Sequence, residues 1–394
     1  MLSRVKKNLL LFVLLSVLAA GSFGSGFLFG KSQVVCEVCP PQDLDFSLFW
    51  EAYYKLKEEF VEPEKIDEKK LIFGAISGMV ESLGDPYTVF LDPEDTKMFL
   101  EDITGRFEGV GMEIGIRDNT LQVIAPLEGT PAQRAGLRSG DKIIKVDGKL
   151  TSELSLDEAV SLIRGPKGTK VTLTIFREGW DGPRDFEIER AVIDIPSLKW
   201  EMREGDIAYI KIYHFSEKAS LDFSQAAVQI LAAGAKKIIL DVRNNPGGYL
   251  EVARDIASFF LKRGEIVVIE DSGEKQTEYK ASGNALFLNY PTVVLINKGS
   301  ASGSEILAGA LRDNRGIILI GENSFGKGSV QQLERLRGGS SLKITTAKWL
   351  TPKGKTITGV GLKPDIEVKM TEEDYKAGRD PQLEKAIEVI KGLQ

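Results

Sequence analysis

The feature that most constrains the fold is a run of short apolar segments between Ile193 and Met370, each closed by a glycine-bearing turn or followed by a helical stretch. Ile207 to Tyr213 reads as a strand, Ser220 to Ala233 as a helix, and Lys237 to Val242 as a buried strand that ends in Arg243-Asn244-Asn245-Pro246-Gly247-Gly248. Leu250 to Leu261 is then helical, Ile266 to Glu270 extended, Thr292 to Ile296 a buried strand and Ser302 to Arg312 a helix. Such alternation predicts a mainly parallel sheet whose functional motifs gather at strand C-terminal ends.

Length and charge bound the rest. A chain of 394 residues, 42% hydrophobic and 27% charged, is globular and too long for one ordinary domain. Its net charge of −6 and lack of a basic run argue against nucleic acid as a partner. With a single histidine, His214, most zinc and iron sites are excluded, and neither metal nor cofactor is expected.

At the N-terminus, Arg4, Lys6 and Lys7 precede an apolar stretch from Leu9 to Phe29. As a helix this is roughly 30 Å long, enough to span a bilayer core. The small residues Ala19-Ala20-Gly21 fit a cleaved signal peptide, whereas Phe27-Leu28-Phe29 continue the apolar run as an anchor would. Either way the early cations place the bulk of the chain outside the cytoplasm, in the periplasm or on the outer face of the membrane. Cys36 and Cys39 follow, spaced as C-x-x-C without a redox context, and read as a tether element or disulfide. Two amphipathic helices come next, Phe46 to Phe60 and Lys69 to Leu83, stopped by Pro63 and by Gly84-Asp85-Pro86.

From Gly105 to Arg190 the pattern changes to short strands and glycine turns. Gly109-Val110-Gly111-Met112 leads into an alternating strand, Leu121 to Ile124 forms another, and Pro131 to Leu137 makes one helical turn. Gly140-Asp141-Lys142-Ile143-Ile144-Lys145-Val146-Asp147-Gly148, a helix from Leu156 to Ile163 and a final strand from Val171 to Arg177 complete the order. This region resembles a bacterial PDZ domain. Backbone N–H groups around Gly109, Val110, Gly111 and Met112 can converge on a peptide carboxylate, and the following strand edge can accept the peptide as an added strand.

Two glycine-framed turns carry the chemistry. Gly299-Ser300-Ala301-Ser302-Gly303-Ser304-Glu305 opens the helix that begins near Ser302, and Gly326-Lys327-Gly328-Ser329-Val330-Gln331 leaves a strand end. With one histidine in the chain, a serine nucleophile here needs a lysine base. On local grounds Ser300, Ser302 and Ser304 are all candidates.

These two turns, together with Asp241-Val242-Arg243-Asn244-Asn245-Pro246-Gly247-Gly248, Thr345-Thr346-Ala347-Lys348-Trp349-Leu350-Thr351-Pro352 and Gly361-Leu362-Lys363-Pro364-Asp365-Ile366, resemble the carboxyl-terminal processing peptidases, or tail-specific proteases, from about Phe46 to Ile390. The resemblance implies a nucleophile at Ser302, a base at Lys327 and a lysine-orienting glutamine at Gln331. It implies an oxyanion site from the N–H groups of Gly303 and of Gly247 or Gly248, aided by the helix N-terminus. Alanine often stands in the family where Gly303 does, which leaves the N–H in place. Lys327 must then be desolvated, since a general base has to fall from about 10.4 to roughly 7 to 8.

The implied architecture is α/β within a multi-domain α+β chain: residues 1–30 a signal or anchor, 31–104 a juxtamembrane and helical module, 105–190 the PDZ domain, 191–370 the protease core and 371–394 a C-terminal helix. The implied activity is a serine endopeptidase that recognises free, apolar C-terminal tails through the PDZ domain. Arg164 is its candidate for relaying PDZ position, by analogy with PDZ-gated relatives, and homodimerisation and an adaptor are further implied partners.

Three rivals remain at this level. A Ser302-His214-Asp triad is conceivable. Gly321 to Lys327 matches the first seven positions of a phosphate-binding loop, but Gly328 lacks the hydroxyl that would hold magnesium. The third is a catalytically silent, membrane-tethered PDZ scaffold.

Overall fold

The computed structural model describes residues 2–33, 44–117, 120–127, 129–138, 140–154, 156–194 and 196–393. Cys36 and Cys39 lie outside them. The chain divides into two units, Met1–Ile72 and Phe73–Gln394.

In the first unit the N-terminal segment is helical over Leu2–Gln33. Among the described residues no helix is long and apolar enough to cross a membrane, so the expected anchor is not confirmed. The helix Ser47–Glu59 falls where its periodicity predicts, yet it buries no residue and leaves Leu48, Phe49, Trp50, Tyr54 and Leu56 exposed.

The second unit begins earlier than the glycine turns suggest. Strand Val89–Leu91 pairs antiparallel with Ser341–Lys343, and Thr88 Oγ1 accepts the Thr345 N–H at 3.0 Å. Residues 73–104 thus join the larger unit, together with a helix at Pro93–Thr104 that the sequence pattern does not reveal.

The PDZ region folds around its own cluster, which includes Val110, Val123, Ile143, Val146, Val171, Leu173 and Ile175. Its sheet runs in the order Met112–Arg117, Thr120–Pro126, Lys142–Val146, Lys170–Phe176, Arg184–Glu189. The strand expected to be final is followed by one more, Arg184–Glu189, whose alternating polar residues mask it in the sequence. Met112–Arg117 is an edge strand of this sheet. A short ladder of Arg106–Gly109 with Ala191–Asp194 closes the region's two ends onto each other.

The core contains two sheets where one was expected. The first is six-stranded, in the order Leu198–Arg203, Ile207–Ile212, Lys237–Asp241, Thr292–Ile296, Ile318–Gly321, Ile366–Glu367, and every pairing but the first is parallel. Its central strands are buried along their length, the pattern of a sheet covered on both faces. Helices Ala219–Ala232, Leu250–Ala257 and Gly303–Arg315 pack into one apolar cluster with it, and Pro381–Gly392 into another through Ala386 and Ile390. The second sheet is antiparallel and five-stranded, built from Val89–Leu91, Ile266–Asp271, Gln276–Lys280, Ser329–Arg335 and Ser341–Leu350. The C-terminal region is two helices, Glu372–Ala377 and Pro381–Gly392, because Gly378 at φ 66° ends the first.

Candidate active site

Strand Lys237–Asp241 ends in a turn that glycine alone can form. Gly247 has φ 105° and Gly248 φ 141°. A Cβ at 247 would lie 2.7 Å from Ser302 Cβ, and one at 248 would lie 2.3 Å from Phe215 O. The turn is laced to the segment that opens helix Gly303–Arg315: Asn245 O accepts from Ala301 N (3.1 Å) and Ser304 Oγ (2.9 Å), and Ser300 Oγ donates to Val242 O (2.8 Å). Asn244 N donates to Asn297 Oδ1 (2.9 Å).

Those bonds separate the three serines. Ser300 and Ser304 are fully buried and spend their hydroxyls on backbone carbonyls, whereas Ser302 is partly exposed. Ser302 precedes the first helical residue and holds φ 52°, ψ −114°, a region that L-residues occupy at a cost of about 1–3 kcal/mol when the surroundings enforce it. Among the oxyanion candidates, the Gly247 N–H already donates to Asn245 Oδ1 at 2.9 Å. The N–H groups of Gly248 and Gly303 have no acceptor among the described residues, and Gly303 is the first residue of its helix.

Glu305, which the sequence pattern offered only as part of a helix start, ties the site together. It is 1% exposed. Its Oε2 accepts the N–H groups of Ser302 and Lys327, each at 2.9 Å, and its Oε1 accepts Ser324 Oγ (2.6 Å) and Gly326 N (2.7 Å). Burial pushes its carboxyl up, and these donors oppose that shift.

Lys327 lies between strand Ile318–Gly321 and strand Ser329–Arg335. Burial pulls its ammonium below the usual lysine range, while the Glu305 charge works the other way. Its Nζ sits 5.9 Å from the Tyr87 ring centroid. Among the described residues no hydrogen bond joins Nζ to Ser302 Oγ or to Gln331, whose Nε2 donates to Ser329 Oγ. The structure thus links the backbones of Ser302 and Lys327 and leaves their side chains unjoined. A strand, rather than a helix, follows the Gly321–Gly328 loop, so the helix N-terminus required by a phosphate-binding loop is missing. His214 follows the end of strand Ile207–Ile212.

In the PDZ region, Val110 O accepts Ala132 N (2.8 Å), and Gly111 O accepts Leu127 N (3.0 Å) and Thr130 Oγ1 (2.7 Å). The N–H groups of Val110 and Gly111 have no acceptor among the described residues. Gly111 has φ 77°, and a Cβ there would lie 2.5 Å from Thr130. Gly109 ends one strand and Met112 begins the edge strand. Arg164 follows helix Leu156–Ile163, and its guanidinium lies 4.5 Å from the Phe107 ring centroid, beside the strand that leads into this loop.

The chain is similar to known proteases along most of its length. A model described as peptidase family S41 matches residues 206–368, a PDZ domain model residues 122–177, and a model of the activating protease CtpB N-terminal domain residues 37–95. The carboxy-terminal processing protease CtpA of Bacillus subtilis is 37% identical over 362 residues, covering 92% of this chain and 77% of its own length. The carboxy-terminal-processing protease of Bartonella bacilliformis is 42% identical over 325 residues, covering 80% and 74%. Among solved structures, the photosystem II D1 C-terminal processing protease superposes with a TM-score of 0.56 at 30% identity, covering 82% of this chain and 87% of that one.

Proposed function

As the chain belongs to the carboxy-terminal processing proteases of peptidase family S41 and is a serine protease with a PDZ domain, we propose that it cuts polypeptides with a Ser302/Lys327 dyad through an acyl-enzyme. The observation that carries this reading is the single buried Glu305 oxygen that receives the N–H groups of both residues.

The Lys327 side chain swings from the Tyr87 ring to Ser302 Oγ, where Gln331 orients it. Neutral Nζ takes the hydroxyl proton as Oγ attacks the scissile carbonyl. The N–H groups of Gly248 and Gly303 receive the oxyanion at the positive end of the helix. The lysine then protonates the departing amine, and water, deprotonated by the same lysine, hydrolyses the ester. The N–H groups of Val110 and Gly111, without an acceptor among the described residues and beside an edge strand, support docking of a substrate's C-terminal carboxylate, with the tail added as a strand. Arg164, stacked beside that loop, is placed to feel its occupancy.

The basic N-terminus and the apolar run behind it support an extracytoplasmic enzyme held to the membrane by its N-terminal segment. The exposed apolar residues of helix Ser47–Glu59 support association with a second copy, and an adaptor that delivers substrates remains compatible with the PDZ domain.

The test is cleavage of an unfolded polypeptide with a free apolar C-terminus, read by mass spectrometry beside Ser302→Ala and Lys327→Ala. Loss of cutting in both supports the dyad. Cutting by either variant overturns it, and tail binding by the wild type without cutting establishes the silent scaffold instead.

A further inference from the structure

Arg243, in the motif that ends strand Lys237–Asp241, has no part in the chemistry above, yet it is the most heavily bonded cation of the core. Nε donates to both oxygens of Asp241, and the NH2 nitrogen to Asp241 Oδ2 (2.7 Å) and Asp380 Oδ2 (2.8 Å). The NH1 nitrogen donates to Asp380 Oδ1 (2.7 Å) and Gln382 Oε1 (3.0 Å). Every N–H of the guanidinium therefore has a partner, a planar fork that a lysine ammonium cannot reproduce.

The two carboxylates belong to different parts of the fold. Asp241 is wholly buried at the strand end, where it also accepts Tyr209 OH at 2.6 Å. Asp380 is the N-cap of the C-terminal helix Pro381–Gly392 and accepts Leu383 N at 3.0 Å. Gln382, also fully buried, donates onward to Val368 O (2.7 Å). Burial, the largest single influence, acts to raise the Asp380 carboxyl, but the bonds and charge of Arg243, with the Leu383 N–H and the Lys211 charge, together outweigh it and leave the group below its ordinary range. On its far side Arg243 adjoins Asn244, which holds φ 57°, and then Asn245, whose carbonyl receives Ala301 N and Ser304 Oγ. The turn that carries Gly248 is consequently pinned at one end by the nucleophile segment and at the other by the C-terminal helix.

We propose that the Arg243–Asp380 pair is a positioning device for the oxyanion turn, which makes the C-terminal helix a working part of the catalytic unit. This rests on the reading of Gly248 and Gly303 as oxyanion donors. An oxyanion donor acts only where it meets the transition state, so loosening the pin lowers turnover and leaves ground-state binding of the tail intact.

Asp380→Asn tests this with little damage to the helix, because asparagine is an equally good N-cap. Cleavage of a tail-bearing peptide is measured well below the unfolding temperature, together with inhibition by a peptide aldehyde, whose adduct with Ser302 places an oxyanion in the same site. The expected result is a fall in kcat of roughly tenfold or more with KM nearly unchanged, and a matching loss of aldehyde affinity. Asp380→Glu restores part of both, and Arg243→Lys reproduces the defect. Unchanged kcat and aldehyde affinity in folded Asp380→Asn, or a rise in KM alone, overturns the proposal and reduces the pair to a stabilising bridge. If Ser302→Ala cuts as well as wild type, the dyad reading fails and this inference falls with it. If Ser302→Ala is inert while Asp380→Asn is fully active, only this inference fails.

Discussion

Ser302 and Lys327 donate their backbone N–H groups to one oxygen, Oε2 of Glu305, each at 2.9 Å. The proposed nucleophile and base, which stand on different turns, are thereby held by a carboxylate that touches neither reacting atom. On the proposed dyad, Glu305 is a positioning residue.

Glu305→Gln keeps the shape and replaces one acceptor oxygen by an NH2 group. Four donors converge on the carboxylate, so the amide must face two of them with a donor of its own. Buried donors left unpaired cost about 1–3 kcal/mol each, which for two predicts a loss of roughly 2–6 kcal/mol in urea unfolding. Peptide cleavage is expected to fall by about a hundredfold, as for loss of a preorganised group. An unchanged unfolding midpoint with full activity would show that the carboxylate does not hold the site.

Lys327 should limit activity from the acid side. On the proposed mechanism only its neutral form takes the serine proton, so kcat/KM is expected to rise with pH as the lysine deprotonates, with burial bringing that midpoint below the solution value of 10.5. The linkage has the opposite sense to that of an ion-paired lysine. Because the folded-state pKa is depressed, the unfolded chain binds more protons between the two pKa values, and stability rises with pH across that window. Below the folded pKa the buried ammonium exerts its full cost. Lys327→Met is therefore expected to abolish cleavage and to raise stability by about 1 kcal/mol at neutral pH, with the pH slope removed. Thermal unfolding of both proteins across pH checks the sign, and a less stable methionine variant contradicts it.

At Gly247 the prediction rests on space. Alanine there combines φ 105° with contacts of 2.7 Å to Ser302 Cβ, 2.8 Å to Ala301 O and 2.9 Å to Gly303 N. Either the turn or Ser302 must move, and Gly303 is a proposed oxyanion donor. Gly247→Ala is expected to lose roughly a hundredfold or more in kcat, with tail binding retained. A variant as active as wild type would show that the turn has slack.

These sites were unequally legible in the sequence. Buried parallel strands such as Thr292–Ile296 and helices such as Leu156–Ile163 announce themselves through continuous apolar runs or helical periodicity, and the glycine turns mark the strand ends. Strands Ser329–Arg335 and Ser341–Leu350 do not, because their sheet mixes polar and half-buried positions and its pairings are long-range. Local pattern alone left three serines open and only the family resemblance favoured Ser302, because the bonds that occupy the Ser300 and Ser304 hydroxyls are tertiary. Glu305 was hidden for a related reason: a glutamate at the third helical position reads as a capping residue, and only the Lys327 loop, brought in from 22 positions away, discloses its second task.

The PDZ region yields the last prediction. Gly111 carries φ 77°, its carbonyl is committed to Thr130 and Leu127, and its N–H is free of any described acceptor. Alanine there would place a methyl group 2.5 Å from Thr130 and force the loop around Gly111 to shift. The strain should lower the unfolding temperature by a few degrees, but most of the apolar cluster of this region lies away from Gly111, so the variant should still be folded at assay temperature. Tail-bearing substrates are then expected to show KM raised by about tenfold, the scale of one charge-assisted hydrogen bond, while an amidated substrate, already deprived of the carboxylate, changes little. Equal losses on free and amidated tails would assign Gly111 to the folding of the domain and leave the carboxylate to another loop.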